Sequence, residues 1–282
     1  MTGTVDRATR MLIIDAFAER PFAGNPAAVC LLDSQGWPDE AWMQRLAAEL
    51  NLPMTAFVHP LANDVDADYA LRWFTPAIEE KLCGHATLAT AHALHSERCS
   101  AGTVRFSTLS GVLIAHFTDD GTITLDFPAV TVAEMRVPEG LDLALGASAE
   151  AACSTGTLRD VLVVFADEAT VRGLAPDFEA ISTIQRRDDI RGITATAPAD
   201  DGARGYDFVS RFFSPADGLP EDPVTGSAHT ALAPYWSRRL GRDRLTGLQA
   251  SPRSGLVRTF VREDRVELTG RAVTVLDGTL RA

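Results

Sequence analysis

Short apolar runs separated by polar turns recur along the whole chain. Apolar runs of about four to eight residues that end in turn residues are typical of β-strands. In the first half they predict strands over 11–17, 28–32, 54–58, 70–74, 103–108, 112–117 and 122–127. In the second half they predict strands over 160–165, 192–196, 207–213, 246–250, 256–261, 265–268 and 273–276. Helices interrupt these strands, so the pattern indicates an α+β fold.

The predicted helices are of two kinds. An amphipathic helix begins near Pro38-Asp39-Glu40, with acidic residues in its first turn, and ends at Asn51-Leu52-Pro53. Shorter helices are predicted over 169–174 and 178–184. The stretch from Gly84 to about Leu94 differs, because it is apolar on nearly every side. Such a helix lies inside a protein rather than on its surface.

The beginning of this central helix is a candidate binding site. Gly84 and His85 open the helix after the loop that follows Phe74-Thr75-Pro76. The first backbone N–H groups of a helix have no intrahelical partner and can bind an anion such as a carboxylate.

The same order of parts appears a second time. Phe213-Ser214-Pro215, a loop and Asp222-Pro223-Val224-Thr225-Gly226-Ser227 lead into an Ala-rich helix that contains Pro234. Gly226 follows Gly84 by 142 residues, about half of the 282-residue length. We therefore predict two related halves, whose helix starts together hold a small acidic substrate. Pro234 is expected to kink or shorten the second helix.

Length and composition agree with a globular protein of two domains. A chain of 282 residues suits two domains, which we place at 1–128 and 129–271. The strand near 272–282 is a candidate to return to the first domain, and 128–137 is expected to connect the two. The net charge of −12 argues against nucleic acid or an anionic membrane as a partner, because both bind clustered basic residues.

The cysteines and the apolar runs indicate a cytoplasmic protein. Cys30, Cys83, Cys99 and Cys153 show no CxxC pair and no metal-ligand spacing, so we expect reduced thiols. No signal peptide is recognisable, and no apolar run reaches the roughly 18 residues of a membrane span.

Several motifs in the same order resemble the PhzF-like isomerases of phenazine biosynthesis. They are Phe22-Ala23-Gly24-Asn25-Pro26, Asn51-Leu52, Phe74-Thr75-Pro76 with Glu79, Cys83-Gly84-His85-Ala86-Thr87, Asp222 to His229, and Gln249 to Gly255. The resemblance implies the diaminopimelate-epimerase-like fold, which has two pseudo-symmetric domains, each a mixed sheet around a central helix. It also implies cofactor-free proton transfer at carbon and a homodimer.

The resemblance also implies roles for individual residues. His85, Asp222 and Ser227 are the expected active-site residues, and Cys83 and Thr225 fall where related epimerases have catalytic cysteines. Two titratable groups in a closed cleft can have their pKa values pushed apart, so His85 and Asp222 are the expected acid/base pair. Cys83 is a third catalytic candidate, because a thiol at a helix N-terminus is easier to ionise. The expected substrate-binding residues are Asn25, Met54, Gly84, Thr225, Gly226 and Ser227.

The sequence departs from the family pattern at one position. The family's main acid/base is the glutamate of an Asn-Leu-Ser-Glu-Thr segment, and this chain has Asn51-Leu52-Pro53-Met54-Thr55. The thioether of Met54 cannot exchange a proton near neutral pH. Three explanations are open: another residue moves the proton on a different substrate, the protein is a binding remnant without catalysis, or Met54 is an introduced change.

The first explanation has a parallel in the PhzF-like isomerase of 4-alkyl-proline biosynthesis. Its substrate type is an unsaturated pyrroline carboxylate, whose doubly activated C–H groups need a weaker base. The function expected from the sequence is therefore isomerisation of a small unsaturated cyclic amino acid in antibiotic biosynthesis, without metal or cofactor.

Structural roles are the alternative for each site residue. His85 can be a core histidine, Asp222 a turn residue, Ser227 an N-cap, Cys83 a small buried side chain and Glu79 a structural charge. Other enzyme classes lack their signatures, since Gly226-Ser227-Ala228 is no Gly-x-Ser-x-Gly nucleophile elbow and no Walker or dinucleotide motif occurs.

Overall fold

The computed structural model describes residues 9–33, 36–62, 64–98, 102–200 and 205–281. The contacts divide the chain into two compact units. The N-terminal unit lies within Met1–Phe22, Pro26–Leu125 and Arg271–Ala282, and the C-terminal unit consists of Ala23–Asn25 and Asp126–Gly270. None of the described helices is long and apolar enough to cross a membrane.

The N-terminal unit is a mixed sheet with two helices. Its elements are β1 (Thr9–Ala16), β2 (Asn25–Leu31), α1 (Glu40–Leu50), β3 (Met54–Pro60), β4 (Tyr69–Phe74), β5 (Glu79–Glu80), α2 (Gly84–Arg98), β6 (Thr103–Thr108), β7 (Gly111–Phe117), β8 (Ile123–Pro128) and β18 (Ala272–Leu280). The strands pair in the order β18-β1-β2-β3-β4-β6-β7-β8, and β5 adds to β4.

The C-terminal unit contains β9 (Ala133–Met135), α3 (Leu141–Leu145), β10 (Ala151–Ser154), β11 (Asp160–Val164), α4 (Glu168–Gly173), α5 (Phe178–Asp188), β12 (Gly192–Pro198), β13 (Phe208–Ser214), β14 (Leu219–Asp222), α6 (Gly226–Leu240), β15 (Arg244–Gln249), β16 (Gly255–Arg262) and β17 (Arg265–Gly270). Its strands pair in the order β9-β10-β11-β12-β13-β15-β16-β17, and β14 adds to β13.

The two units repeat one topology, as the sequence repeat predicts. The parallel pair β2/β3 corresponds to β11/β12, and the parallel pair β4/β6 corresponds to β13/β15. The short strands β5 and β14 follow β4 and β13 in the same way. The helices α1 and α5 precede β3 and β12, while α2 and α6 follow the short strands.

Both central helices are buried, which for α2 confirms the prediction from its composition. In α2, every residue from Gly84 to Leu94 except His92 is buried, and the helix packs against β1, β3, β7 and β18. In α6, burial extends from Gly226 to Ser237 with Ser227 as the partly exposed exception, and the helix packs against β15, β16 and β17.

A matching ion pair holds the loop before each central helix. Arg72 on β4 binds Glu79 through two hydrogen bonds of 2.6 Å, and its guanidinium lies 5.2 Å from the centre of the Phe74 ring. In the other unit Arg211 binds Glu221 at 2.7 and 2.9 Å and lies 5.0 Å from the Phe213 ring centre. Glu79 therefore has the structural role that the sequence suggests as an alternative.

Two segments contain more regular structure than the sequence predicts. Pro234 does not shorten α6, which continues to Leu240. Pro234 has no N–H for the carbonyl of Thr230, but that carbonyl accepts a hydrogen bond of 3.0 Å from the Val130 N–H instead. The segment 128–137 is more than a connection, because it contains β9. The short elements β5, β9, β10, β14 and α3 were not predicted.

Candidate functional site

Asp222 is the centre of a buried polar cluster in the C-terminal unit. It is the last residue of β14, and its carboxylate accepts hydrogen bonds from Asn25 Nδ2 at 2.7 Å and from Thr225 Oγ1 at 2.6 Å. Asn25 Nδ2 also donates to the Val224 carbonyl at 2.8 Å. The structure thus brings together Asn25, Asp222 and Thr225, which the sequence assigns to the site.

The surroundings of Asp222 place its titration close to neutral pH. Burial raises the pKa of the carboxyl from 3.8 to about 6, although the hydrogen bonds from Thr225 and Asn25 oppose the shift by stabilising the charged form. A carboxyl group with such a pKa can both accept and return a proton under physiological conditions.

Gln249 joins the two sides of this cluster. It is buried at the end of β15, where Nε2 donates to the Asp222 carbonyl at 2.7 Å and Oε1 accepts from the Thr225 N–H at 2.8 Å. Gln249 belongs to one of the sequence motifs, but the sequence alone indicates no role for it. Its signal was a polar residue at the end of an otherwise alternating strand.

Two further motifs meet beside this cluster. Arg253 donates to the carbonyls of Gly24 at 2.9 Å and Ala23 at 3.1 Å, and the Gly24 N–H donates to the Ser254 carbonyl at 2.7 Å. Ser251 Oγ donates to the Pro223 carbonyl at 2.8 Å. These contacts fix the segment that carries Asn25.

The start of α6 leaves polar groups available. Thr225 occupies the N-cap position, but its hydroxyl binds Asp222 and does not cap the helix. The N–H groups of Gly226 and Ser227, at the first two helical positions, have no intrahelical partner. Ser227 is not the N-cap, so that structural alternative is wrong, and its Oγ instead accepts a hydrogen bond from Arg191 at 3.1 Å.

Arg191 and Asp160 form an ion pair next to Ser227. Arg191 Nε lies 2.9 Å from Asp160 Oδ1, and Nη2 binds Oδ2. Asp160 is buried, and burial raises its pKa to about 6, although the Arg191 guanidinium opposes the shift. Sequence reasoning missed both residues, because Arg191 precedes Ser227 by 36 positions in an unremarkable segment.

In the N-terminal unit, the start of α2 carries His85 and Cys83. Both side chains are buried, and His85 Nδ1 lies 3.5 Å from Cys83 Sγ. Burial lowers the pKa of His85 from 6.5 to about 3, so the imidazole is neutral at physiological pH. His85 Nε2 is buried and has no hydrogen-bond partner in the described part of the chain.

The neutral state changes the predicted role of His85. Two tautomers satisfy the contact with Cys83: a donated S–H leaves a protonated Nε2, and a protonated Nδ1 leaves Nε2 as an acceptor. In either state Nε2 can form a hydrogen bond to a ligand. Transfer of a proton through an imidazolium is disfavoured, because burial excludes the charged form.

Met54 lies in the N-terminal unit. It is the first residue of β3, is buried, and pairs in register with Ala27 of the parallel strand β2. Gly84 is buried at the first position of α2 in the same unit. The structure therefore groups Met54, Cys83, Gly84 and His85 in one unit and the other site residues in the other. The expectation that both groups hold one substrate stays a prediction.

His229, in the first turn of α6, is a core residue. Its Nδ1 lies 2.8 Å from the Thr225 carbonyl, and its ring is fully buried next to Phe208. Burial lowers its pKa to about 4, and the hydrogen bond to Thr225 opposes the shift.

A cavity of about 270 Å³ lies in the C-terminal unit, and Asp160 is one of the residues that line it. The residues that line it also include Asp188, Asp189 and Arg159. The acidic lining does not suit an acidic substrate. The groups at the start of α6 are the better candidate for binding one.

Known proteins resemble the chain over nearly its whole length. The model of the family described as phenazine biosynthesis-like protein (PhzC-PhzF) matches residues 14–278. An uncharacterized isomerase of Pseudomonas aeruginosa is 46% identical and is aligned over 95% of this chain and 96% of its own length.

Solved structures agree with this match. The crystal structure of a PhzF-family protein from Enterococcus faecalis has a TM-score of 0.87 and 40% identity, covering 98% of this chain and all of that chain. A hydroxyproline epimerase from Agrobacterium vitis shares the fold with a TM-score of 0.62 at 15% identity, covering 99% and 94% of the two chains. The fold is therefore diaminopimelate-epimerase-like, as the resemblance implies.

Proposed function

Since the chain belongs to the phenazine biosynthesis-like (PhzC-PhzF) family, we propose that it is an isomerase that moves a proton and a double bond in a small unsaturated carboxylic acid. The observation that carries the proposal is the Asp222 carboxylate, which is buried, held by two donors and has a pKa of about 6. The isomerase name of its Pseudomonas aeruginosa relative supports the reaction class.

Asp222 is the proposed acid/base. At neutral pH its carboxylate is largely ionised and takes a proton from an activated C–H group of the substrate. The C–H electron pair enters the conjugated system, and the double bond moves as the same carboxyl returns the proton to another carbon. The reaction leaves the number of electrons unchanged, so it requires no redox cofactor.

The start of α6 is the proposed binding site for the substrate carboxylate. The N–H groups of Gly226 and Ser227 and the positive end of the helix dipole favour a negative charge there. Binding of the carboxylate also makes the neighbouring C–H group more acidic, because these donors stabilise the negative charge that develops on deprotonation.

The hydrogen bonds of the Asn25 side chain favour an amino acid as the substrate. Its Nδ2 is committed to Asp222 and Val224, which fixes the orientation of the amide. Its Oδ1 is buried and has no hydrogen-bond partner within the described residues. An oxygen in this state can accept a hydrogen bond from a substrate N–H, as a pyrroline or another cyclic amino acid provides.

His85 and Cys83 have different proposed roles. The neutral His85 imidazole is a hydrogen-bonding residue that polarises a substrate group through Nε2, rather than a second acid/base. Cys83 orients the ring through its contact with Nδ1. Met54 provides apolar surface in place of the family glutamate. The homodimer, the antibiotic pathway and the cytoplasmic location stay predictions.

A non-catalytic binding protein is the second candidate function. The observation in its favour is Met54, because a buried thioether replaces the family's acid/base. The candidates differ in one property: an isomerase exchanges a substrate proton with solvent, whereas a binding protein only binds the acid.

Proton NMR in D2O distinguishes these two functions. The purified protein is incubated with unsaturated cyclic amino acids, including the phenazine precursor and a 4-alkylidene pyrroline carboxylate. Deuterium at a specific carbon together with double-bond migration is expected. No exchange with any compound, while an acid raises the melting temperature, identifies a binding protein. Recovery of exchange in Met54→Glu then shows that the glutamate alone was missing.

A further inference from the structure

Arg191 is held more firmly than an ordinary surface arginine. Its N–H donates to the Arg159 carbonyl at 2.7 Å, and its own carbonyl accepts hydrogen bonds from Ser214 Oγ at 2.7 Å and from Gln185 Nε2. Its guanidinium lies 5.5 Å from the centre of the Phe212 ring. Backbone and side chain are therefore fixed before any ligand arrives.

One edge of the Arg191 guanidinium binds the Asp160 carboxylate. The bidentate ion pair occupies Nε and one N–H of Nη2, while the second N–H of Nη2 donates to Ser227 Oγ at 3.1 Å. Asp160 is 2% exposed, so its carboxylate is a buried counter-ion. It fixes the orientation of the Arg191 guanidinium.

The contact fixes the polarity of the Ser227 hydroxyl. Arginine has only donors, so Ser227 Oγ must be the acceptor in this hydrogen bond. Its own hydrogen is directed to another group, and no protein acceptor takes it in the part of the chain that the structure describes. The hydroxyl hydrogen and the N–H groups of the first α6 turn are donors at the same place.

We propose that Arg191 is a positioning residue that orients the Ser227 hydroxyl as a donor to a substrate carboxylate. The inference rests on the proposed function, because it assigns that carboxylate to the start of α6. Asp160 balances the charge of Arg191, so the site binds through oriented donors rather than through net positive charge. Such a site favours a monocarboxylate over an ion with several negative charges.

A double-mutant cycle on ligand binding tests the proposal. The probe is pyrrole-2-carboxylate, a planar cyclic monocarboxylate, and calorimetry measures Kd for the wild type, Arg191→Lys, Ser227→Ala and the double variant. Lysine keeps the charge but lacks the bidentate fork. We expect each single variant to raise Kd about tenfold and the double variant to match the single ones, because Arg191 acts through Ser227.

Two controls separate positioning from general stability. Arg159→Lys changes an exposed arginine in the same unit that pairs with Asp189, and it should leave Kd unchanged. The neutral pyrrole-2-carboxamide should bind weakly and respond little to Arg191→Lys. A Kd that rises multiplicatively in the double variant, or a wild type that does not bind the acid, overturns the proposal.

Deuterium exchange in the wild type keeps this test separate from the test of the function. If the wild type exchanges substrate protons but the two substitutions act independently, only the role proposed for Arg191 is overturned. If the two substitutions are coupled but no compound exchanges, only the isomerase function falls.

Discussion

The Thr225 hydroxyl donates to Asp222 Oδ2 over 2.6 Å, and it does so at the expense of the usual N-cap contact of α6. A side chain that normally stabilises a helix end is thus used to stabilise a carboxylate. The bond favours the charged form of Asp222, which burial disfavours. The balance between the two determines the pH at which the proposed base is active.

Removing that hydrogen bond should shift the pH–rate profile. In Thr225→Val, Asp222 loses a donor to its charged form, so its pKa should rise above about 6. The acidic limb of kcat/KM, measured by deuterium exchange between pH 5 and 8, should move to higher pH. Thr225→Ser keeps the hydroxyl and should retain the wild-type profile. Identical profiles for both variants would contradict the assignment of this limb to Asp222.

The buried charge of Asp222 should reduce stability at neutral pH. The folded protein holds the Asp222 proton up to about pH 6, and the unfolded chain releases it near pH 3.8, so the wild type loses stability as pH rises between these values. The loss is on the order of 3 kcal/mol. Asp222→Asn avoids it, and its free energy of unfolding relative to the wild type should increase between pH 4 and pH 7.

Asp188→Asn is the control for this measurement. The hydrogen bond from Arg187 lowers the pKa of Asp188, so the wild type gains stability as pH rises through the acidic range, and the variant should show the opposite trend. Urea unfolding at several pH values measures both variants. A relative stability of Asp222→Asn that stays constant with pH would contradict the raised pKa.

His85 should not titrate between pH 5 and 8. Burial lowers its pKa to about 3, so its ring signals in two-dimensional NMR should stay constant over this range. In urea, the same histidine should titrate near its usual value of about 6.5. Because the unfolded chain takes up the proton first, His85 should reduce stability as pH falls from about 6.5 to 3. A folded-state midpoint near 6.5 would restore His85 as an acid/base candidate.

The two Arg–Glu pairs should contribute similarly to their units. Glu79→Gln and Glu221→Gln each weaken charge-assisted hydrogen bonds in partly buried pairs, with an expected cost of about 1.5–3 kcal/mol in free energy of unfolding. Glu97→Gln, in a more exposed pair with Arg10, should cost about 0–1 kcal/mol. Urea unfolding checks all three. Equally small losses of stability in all three variants would show that the two partly buried pairs stabilise the protein no more than an exposed ion pair does.

Local composition was sufficient to predict the central helices. The absence of a polar face between Gly84 and Leu94 required burial, and the second glycine motif required a second unit of the same design. Both predictions depend on residues adjacent in sequence, where periodicity is informative.

Contacts that are distant in sequence were beyond prediction. α6 continues past Pro234, and the Thr230 carbonyl accepts a hydrogen bond from the Val130 N–H, a partner that no local pattern indicates. Arg191 reaches Ser227 from the segment before β12, and Gln249 reaches Asp222 from the end of β15. The pKa values of Asp222 and His85 depend on burial, which the fold determines rather than the neighbouring residues.

We propose that Asp222 moves the substrate proton in this chain, which has Met54 at the position of the family glutamate. Deuterium incorporation by Asp222→Asn tests it most directly, with Asp126→Asn, which changes an ion pair of the same unit, as the matched control. We expect a decrease of about 100- to 10,000-fold for Asp222→Asn, without loss of folded protein, and wild-type exchange for Asp126→Asn. Wild-type exchange in Asp222→Asn would contradict the claim and assign the proton transfer to another group.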